Sequence, residues 1–304
     1  MNTFELTILG CSSATPTASR HPTAQLLNIA ERFILIDCGE GTQIQLRRYK
    51  IKFQRIDHIL ISHLHGDHYL GLMGLLQSMH LLGREKELHL YCPQELKEII
   101  DLQNKSSQTV LNYPLVYHFT NVQQSELIFE DDKLSIETIV LNHRIPCTGF
   151  LFREKLGDRK ILMDQLNRYE VSVAEIHKLK KGLNAFNNNG EEVENALLTA
   201  DPDALRSYAY CSDTAYKEAI VEQIKEVTLL YHEATFLSNM LDRAKATFHS
   251  TAAQAATIAL KANVQQLIIG HFSARYSDLS QHLEEAIPIF KNTLLASEGE
   301  KISI

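Results

Sequence analysis

No run of apolar residues in this 304-residue chain approaches the roughly 20 needed to cross a bilayer, which argues against a membrane protein. The first residues, Met1 to Gly10, have neither the basic start nor the continuous apolar stretch of a signal peptide, so export is not expected. The five cysteines (Cys11, Cys38, Cys92, Cys147 and Cys211) are odd in number, scattered, and form no CxxC pair. They read as buried thiols in a reducing compartment, and the expected location is the cytoplasm. A basic surplus is lacking too. The formal net charge is -7, whereas sequence-independent binding to phosphates needs a broad basic surface, so any nucleic-acid contact must be local. The glycine-containing start lacks the Walker pattern and is no phosphate loop.

What the chain does have is the balance of a globular protein, 44% hydrophobic and 22% charged. β-Branched apolar runs predict strands over Phe4–Leu9, Phe33–Ile36, His58–Ile61, Leu88–Tyr91, Leu134–Leu141, Tyr208–Tyr210, Val227–Tyr231 and Gln266–Ile269. Helices are expected over Gly71–Leu82, Ala252–Ala262 and Leu279–Leu294, the last with Pro288 as a local irregularity. This alternation suggests sheets covered by helices in one α/β domain spanning 1–304. Residues 156–203 differ, mixing charge with an Asn187-Asn188-Asn189-Gly190 turn, and read as an inserted arm. From Arg153 to Lys181 there are eight Lys and Arg against five Asp and Glu. On charge alone this is an ordinary solvated face; it is also the best local candidate for RNA contact.

The sharpest signal is His63-Leu64-His65-Gly66-Asp67-His68, between a strand and a helical run. In extended chain, residues two apart point the same way, so His63 and His65 can share one metal while the turn at Gly66 swings Asp67 and His68 toward a second. Imidazole nitrogen with carboxylate oxygen suits zinc best, with manganese or iron as alternatives. A pair of metals needs further ligands and a bridging carboxylate. His143, Asp213 and His271 each end a strand-like run and fill those places. Taken singly each would be a core or turn residue; together, at strand ends, they read as ligands. His232 ends another such run.

His63-Leu64-His65-Gly66-Asp67-His68 with later His, Asp and His strand ends resembles the metallo-β-lactamase superfamily. LGCSSATPT (Leu9–Thr17), DCGEGTQIQL (Asp37–Leu46), NHRIPCTGF (Asn142–Phe150), CSDT (Cys211–Thr214), HEAT (His232–Thr235) and HST (His249–Thr251) narrow the resemblance to the ribonuclease Z family over nearly the whole chain except the insertion. The resemblance implies an αββα sandwich of two facing sheets and a zinc-dependent endoribonuclease that cleaves the 3′ trailer from precursor tRNA. It also implies a homodimer in which one subunit's arm, residues 156–203, is an exosite that helps hold tRNA for its partner. Neither DNA nor a membrane is an expected partner.

By position, the resemblance puts His63, His65, His143 and Asp213 around one zinc, and Asp67, His68, His271 and the shared Asp213 around the other, two ions per subunit. Asp67 would be the catalytic base, His249 the acid that protonates the leaving O3′, and Glu233 the group that polarises the His249 ring. Thr251-Ala252-Ala253-Gln254 reads as a capping box, so His249 lies just before a helix N-terminus, where phosphate is favoured. Asp37 is a candidate partner of a ligand histidine. His21, His58, His80, His89, His118, His177 and His282 read as ordinary surface or core residues. The family's P-x-K-x-R-N loop stands here as Pro16-Thr17-Ala18-Ser19-Arg20-His21, keeping only its Pro and Arg. The rival readings are a two-metal phosphodiesterase or esterase for a small substrate, which would share every ligand but need no arm, and a non-catalytic RNA-binding scaffold, which would show a degraded ligand set.

Overall fold

The computed structural model describes residues 3–304; Met1 and Asn2, where the N-terminal alternation begins, lie outside the described residues. Two seven-stranded sheets dominate. The first is built from β1 (Phe4–Gly10), β2 (Ala24–Ile29), β3 (Arg32–Ile36), β4 (Ile56–Leu60), β5 (Leu88–Cys92) and β6 (Leu115–Phe119). The second takes β7 (Leu127–Glu130), β8 (Leu134–Val140), β9 (Thr148–Glu154), β10 (Ser207–Cys211), β11 (Leu229–Glu233), β12 (Gln266–Gly270) and β13 (Thr293–Leu295). The last strand, β14 (Lys301–Ser303), returns to pair with β1 at the edge of the first sheet. The spatial orders are β14-β1-β2-β3-β4-β5-β6 and β13-β12-β11-β10-β9-β8-β7.

The period-2 pattern explains why the sheets are covered on both faces. From the first sheet, Ile8, Leu27, Ile34, Ile36, Leu60 and Tyr91 join a core with Phe150, Phe152, Tyr208 and Tyr210 of the second. Their neighbours Leu9, Leu26, Leu35, Ile59, Leu88 and Leu90 belong to another core, which includes Leu46 of helix α1 (Thr42–Arg48), Leu75 and Met79 of α2 (Leu72–Leu81) and Leu96 of α3 (Glu95–Ser106). On the second sheet α4 (Ala252–Lys261) contributes Ala255, Ala256 and Ala259 to the first core, small residues that let it lie close to β11 and β12. The result is the metallo-β-lactamase sandwich.

β3 through β6 run parallel, as do β10 through β13. Parallel neighbours end on one side, so the loops that follow them gather on a common rim. One expectation fails: α5 covers only Ser280–Ala286, and Thr293–Leu295 is strand β13 beside β12. Pro288 lacks the amide hydrogen a helix interior needs, and the chain beyond it is free to add an edge strand.

Residues 154–205 form a compact unit of their own. Its small core is Leu166, Val171, Leu179, Ala185, Val193 and Leu198, and it contains two short antiparallel pairs, Lys160–Ile161 with Thr199–Ala200 and Ala185–Phe186 with Glu192–Val193. Its cations are largely spoken for: Arg159 pairs with Asp201, Lys160 with Asp203, Lys178 with Glu175 at 3.0 Å and Lys181 with Asp158 at 2.8 Å. Over the whole unit seven Lys and Arg stand against ten Asp and Glu, so the local positive excess in the sequence is offset by the acids of 191–203.

Candidate metal centre

β4 delivers the ligand-rich loop. Past Leu60 the backbone stays extended through His65 and then enters a single helical turn, Gly66–Tyr69, which reverses the direction of Asp67 and His68. The other residues arrive from the second sheet: His143 after β8, Asp213 after β10 and His271 directly after β12. The structure brings all seven candidates together in two groups, His63, His65, His143 with Asp213, and Asp67, His68 with His271.

In the first group His63 Nε2 and His143 Nε2 lie 3.0 and 3.1 Å from His65 Nδ1, and Asp213 Oδ2 lies 3.6 and 3.7 Å from the His63 and His143 nitrogens. In the second, Asp213 offers its other oxygen. Oδ1 is 3.3 Å from His68 Nε2 and 3.2 Å from His271 Nε2, while Asp67 Oδ2 is 3.5 and 3.3 Å from the same two nitrogens. Tetrahedral ligands on zinc, at about 2.0 to 2.1 Å from the ion, lie roughly 3.3 Å from one another. Both groups match that spacing, with Asp213 common to them.

The outer atoms of the imidazoles are held in turn. His68 Nδ1 meets Asp37 Oδ2 at 2.7 Å, His143 Nδ1 meets the Phe248 carbonyl at 2.9 Å, His271 Nδ1 meets Thr235 Oγ1 at 2.9 Å and His63 Nδ1 meets Ser62 Oγ at 3.0 Å. A proton on His68 Nδ1 leaves a lone pair on Nε2, which is buried without a hydrogen-bond partner and faces two carboxylates. Bare lone pairs turned toward anions are unfavourable unless a cation lies between them. The donor set therefore fits metal ions, and this is a metal-binding site.

Asp37 is fully buried and accepts from the Ser62 amide at 2.8 Å, Ser62 Oγ at 2.9 Å and Tyr210 OH at 2.6 Å besides His68. The Tyr210 bond ties the two sheets together directly beneath the site. Four non-glycine residues with left-handed backbone also converge here: Ala14 (φ 61), whose amide donates to Asp67 Oδ2 at 2.7 Å; Asp37 (φ 55); Phe248 (φ 59); and His271 (φ 59). Such conformations are costly and persist where packing over-determines them, as at functional sites.

Beside the second group, Glu233 Oε1 accepts from the Thr214 amide at 3.0 Å and meets His249 Nδ1 at 2.8 Å; Oε2 accepts from the Thr235 amide and hydroxyl at 3.0 and 2.7 Å. Burial pulls the His249 pKa down, but the Glu233 carboxylate outweighs it and raises the value to about 9. The Thr251–Gln254 capping box is present at the head of α4, two residues after His249. A cavity of about 490 Å³ opens over the site, lined by Ala14, Glu40, Asp67, His143, Arg144 and His249 among others.

His232 stays out of both groups. It lies inside β11, fully buried, its Nδ1 turned to the Glu233 carbonyl at 2.7 Å. A residue within a parallel strand presents its side chain to a sheet face, not to the rim, and the apolar run before it did not reveal that the strand continued. Arg20, the retained residue of the altered loop, is buried and donates to the Ser273 and Tyr276 carbonyls at 3.4 and 2.8 Å. Ser62, Thr235 and Tyr210 also support the site; Ser62 adjoins His63 and Thr235 closes the HEAT motif, whereas the Phe248 carbonyl and Ala14 amide leave no trace in side-chain chemistry.

The anti-Pycsar protein Apyc1 family model matches residues 4–176. A ribonuclease Z of Bacteroides fragilis (strain YCH46) is 48% identical over 304 residues, 100% of both chains. Among solved structures, human tRNase Z, short form, has a TM-score of 0.72 at 28% identity with 99% of each chain covered. The metallo-β-lactamase fold protein YhfI of Bacillus subtilis shares the fold, with a TM-score of 0.71 at 15% identity over 100% of each chain. With a full-length relative at that identity and a family model spanning more than half of its length, this chain belongs to the ribonuclease Z family and, through residues 4–176, to the family that the Apyc1 model describes.

Proposed function

We propose that the chain is a cytoplasmic zinc-dependent endoribonuclease that removes the 3′ trailer from precursor tRNA, leaving a 3′-hydroxyl on the tRNA and a 5′-phosphate on the trailer. The observation that carries this reading is the pair of donor groups sharing Asp213, with the Glu233–His249 pair at their edge. His63, His65, His143 and Asp213 would hold one zinc, and Asp67, His68, His271 and Asp213 the other. Metal bound there supplies charge stabilisation for the phosphoryl oxygens and lowers the pKa of water toward neutrality.

The chain's own groups do the rest. Asp67, fixed by the Ala14 amide, orients the attacking water and accepts its proton. The water oxygen bonds to phosphorus, the P–O3′ bond breaks, and His249, held by Glu233, gives O3′ its proton. Residues 156–203 are read as the tRNA exosite, working in a homodimer. The cytoplasmic assignment accords with five free, buried cysteines, and no described helix is long and apolar enough to cross a membrane.

One observation favours a second reading, a two-metal phosphodiesterase for a small substrate: the excess of acids over bases in 154–205 is unfavourable for binding RNA phosphates. Cleavage of a 5′-labelled precursor tRNA, with and without an encoded CCA and with Asp67→Ala as control, separates the two. Metal-dependent cutting at the acceptor end, absent in the control, is the expected result; intact tRNA with a hydrolysed small phosphodiester would support the second reading.

A further inference from the structure

Between Glu40 and Asp57 the chain carries no acid and five cations, Arg47, Arg48, Lys50, Lys52 and Arg55, all of them exposed. In a chain of net charge -7 this is a purer positive stretch than the eight cations and five acids from Arg153 to Lys181. The local fold holds the row in place. Helix α1 closes with the Ile51 amide donating to the Leu46 carbonyl at 2.8 Å and the Lys50 amide to the Arg47 carbonyl at 3.0 Å, and Lys50 takes the left-handed backbone (φ 58) at the position where glycine is usual. Phe53 then packs inward, with the Arg47 guanidinium 5.6 Å over its ring. Arg47, Lys50 and Lys52 line an open groove of about 410 Å³ together with Gln54 and Leu82.

The acids that could neutralise this row are engaged elsewhere. Asp57 pairs with Arg84 and Lys86, Glu31 pairs with Arg55 at 2.7 Å, and Glu298 meets His21 Nδ1 at 2.8 Å and Gln45 Nε2 at 2.7 Å. Among the described residues no acid pairs with Arg47, Arg48, Lys50 or Lys52. Arg47 and Arg48 complement the carbonyl end of α1, but Lys50 and Lys52 lie beyond it and extend the charge along the surface. Like charges held in a row repel one another, and the ligand that relieves them is one whose own charges are spaced along a chain.

The row is also remote from the chemistry. Arg55 directly precedes β4, and His63 follows eight positions later along extended backbone, about 25 Å away. A small phosphodiester on the metal centre cannot touch both places, whereas a folded RNA can. Resting on the ribonuclease reading above, we propose that Arg47, Arg48, Lys50 and Lys52 form a docking surface for the phosphate backbone of the tRNA body, away from the cleaved bond.

The test measures kcat/KM for a precursor tRNA between about 50 and 200 mM salt, in the full-length metal-loaded enzyme and in two triple variants. One carries Arg48→Gln, Lys50→Gln and Lys52→Gln; the other carries Lys105→Gln, Lys225→Gln and Lys291→Gln, the same change in net charge spread over the rest of the surface. The first triple should lose at least about tenfold at the low-salt end, and its slope of log kcat/KM against log salt should be shallower by about 2 to 3, the counterions released by three phosphate contacts. The second should stay near the wild type. Loss of active enzyme scales kcat/KM equally at every salt concentration and leaves the slope untouched. Hydrolysis of a nitrophenyl phosphodiester, too short to reach the row, should stay within about twofold of the wild type in both triples. An unchanged slope in the first triple, or equal changes in the two triples, would overturn the docking surface alone. A precursor left intact by the wild type while the small phosphodiester is hydrolysed would overturn the ribonuclease reading and the docking surface with it.

Discussion

Glu233 and His249 meet at 2.8 Å with the carboxylate wholly buried and the imidazole side chain 13% exposed, so the pair presents a proton donor to the metal cavity on an anchored base. Glu233→Gln keeps the size and loses the charge. It should lower kcat for precursor tRNA by about 10- to 100-fold with little change in KM, and His249→Ala by roughly a hundredfold or more, the scale of general-acid catalysis. A nitrophenyl phosphodiester, whose leaving group needs no proton, should be hydrolysed by both variants far closer to the wild-type rate. Equal losses on the two substrates would point to a structural role.

Asp213 gives one oxygen to each donor group, whereas His271 serves only one of the two groups that His63 and His68 head. Metal analysis after dialysis should therefore find two ions per wild-type subunit, about one in His271→Ala and fewer than one in Asp213→Ala. Asp37→Asn, which weakens the group that orients His68, should reduce affinity for one ion by about 10- to 100-fold.

The 154–205 unit has its own core and is flanked in sequence by Arg153 and Arg206; Arg153 pairs with Ser207 across β9 and β10. Replacing residues 156–203 with a short glycine-serine link should leave hydrolysis of a small phosphodiester within about twofold of the wild type, because neither donor group nor the lining of the metal cavity draws a residue from this segment. Precursor tRNA should bind at least about tenfold more weakly if the exosite reading holds. Unchanged tRNA cleavage would remove that role from the arm.

His282 is fully buried against the edges of Phe272 and Tyr276, each with ring centroids 4.9 Å away, and burial, aided by Arg20, pushes its pKa down to about 4. The unfolded chain protonates this ring near about 6.5, so between the two values it binds more protons than the folded one. Stability is full above the upper value and falls as pH drops through the window, by up to about 1.4 kcal/mol per pH unit. Urea unfolding at pH about 7.5 and about 5.5, with metal content matched, should show a smaller drop in His282→Leu than in the wild type.

The strands that carry the donors were legible because each is a short run of β-branched, aromatic or other apolar residues followed by a ligand-type residue. β4, β10 and β12 all begin or end within a few residues of expectation. His143, Asp213 and His271 were readable as a set only because they shared that position. His232 shared it too and proved to be strand interior, since periodicity marks an element but not its last residue. The short pairs of the 154–205 unit, the stacking of His58 on His89 at 5.1 Å and of His89 on His118 at 5.3 Å, and the supports from backbone atoms all depend on tertiary neighbours that no local pattern encodes.

The order of the donors along the chain has a consequence for the protein's birth. His63, His65, Asp67 and His68 leave the ribosome early, but Asp213, Asp37's partner Tyr210 and His271 come from strands made much later. Until β12 has docked, a nascent or truncated chain can assemble the first donor group but not the second, which waits for His271. The second half of the centre is thus completed almost with the final residues, as a certificate that both halves of the sandwich have closed.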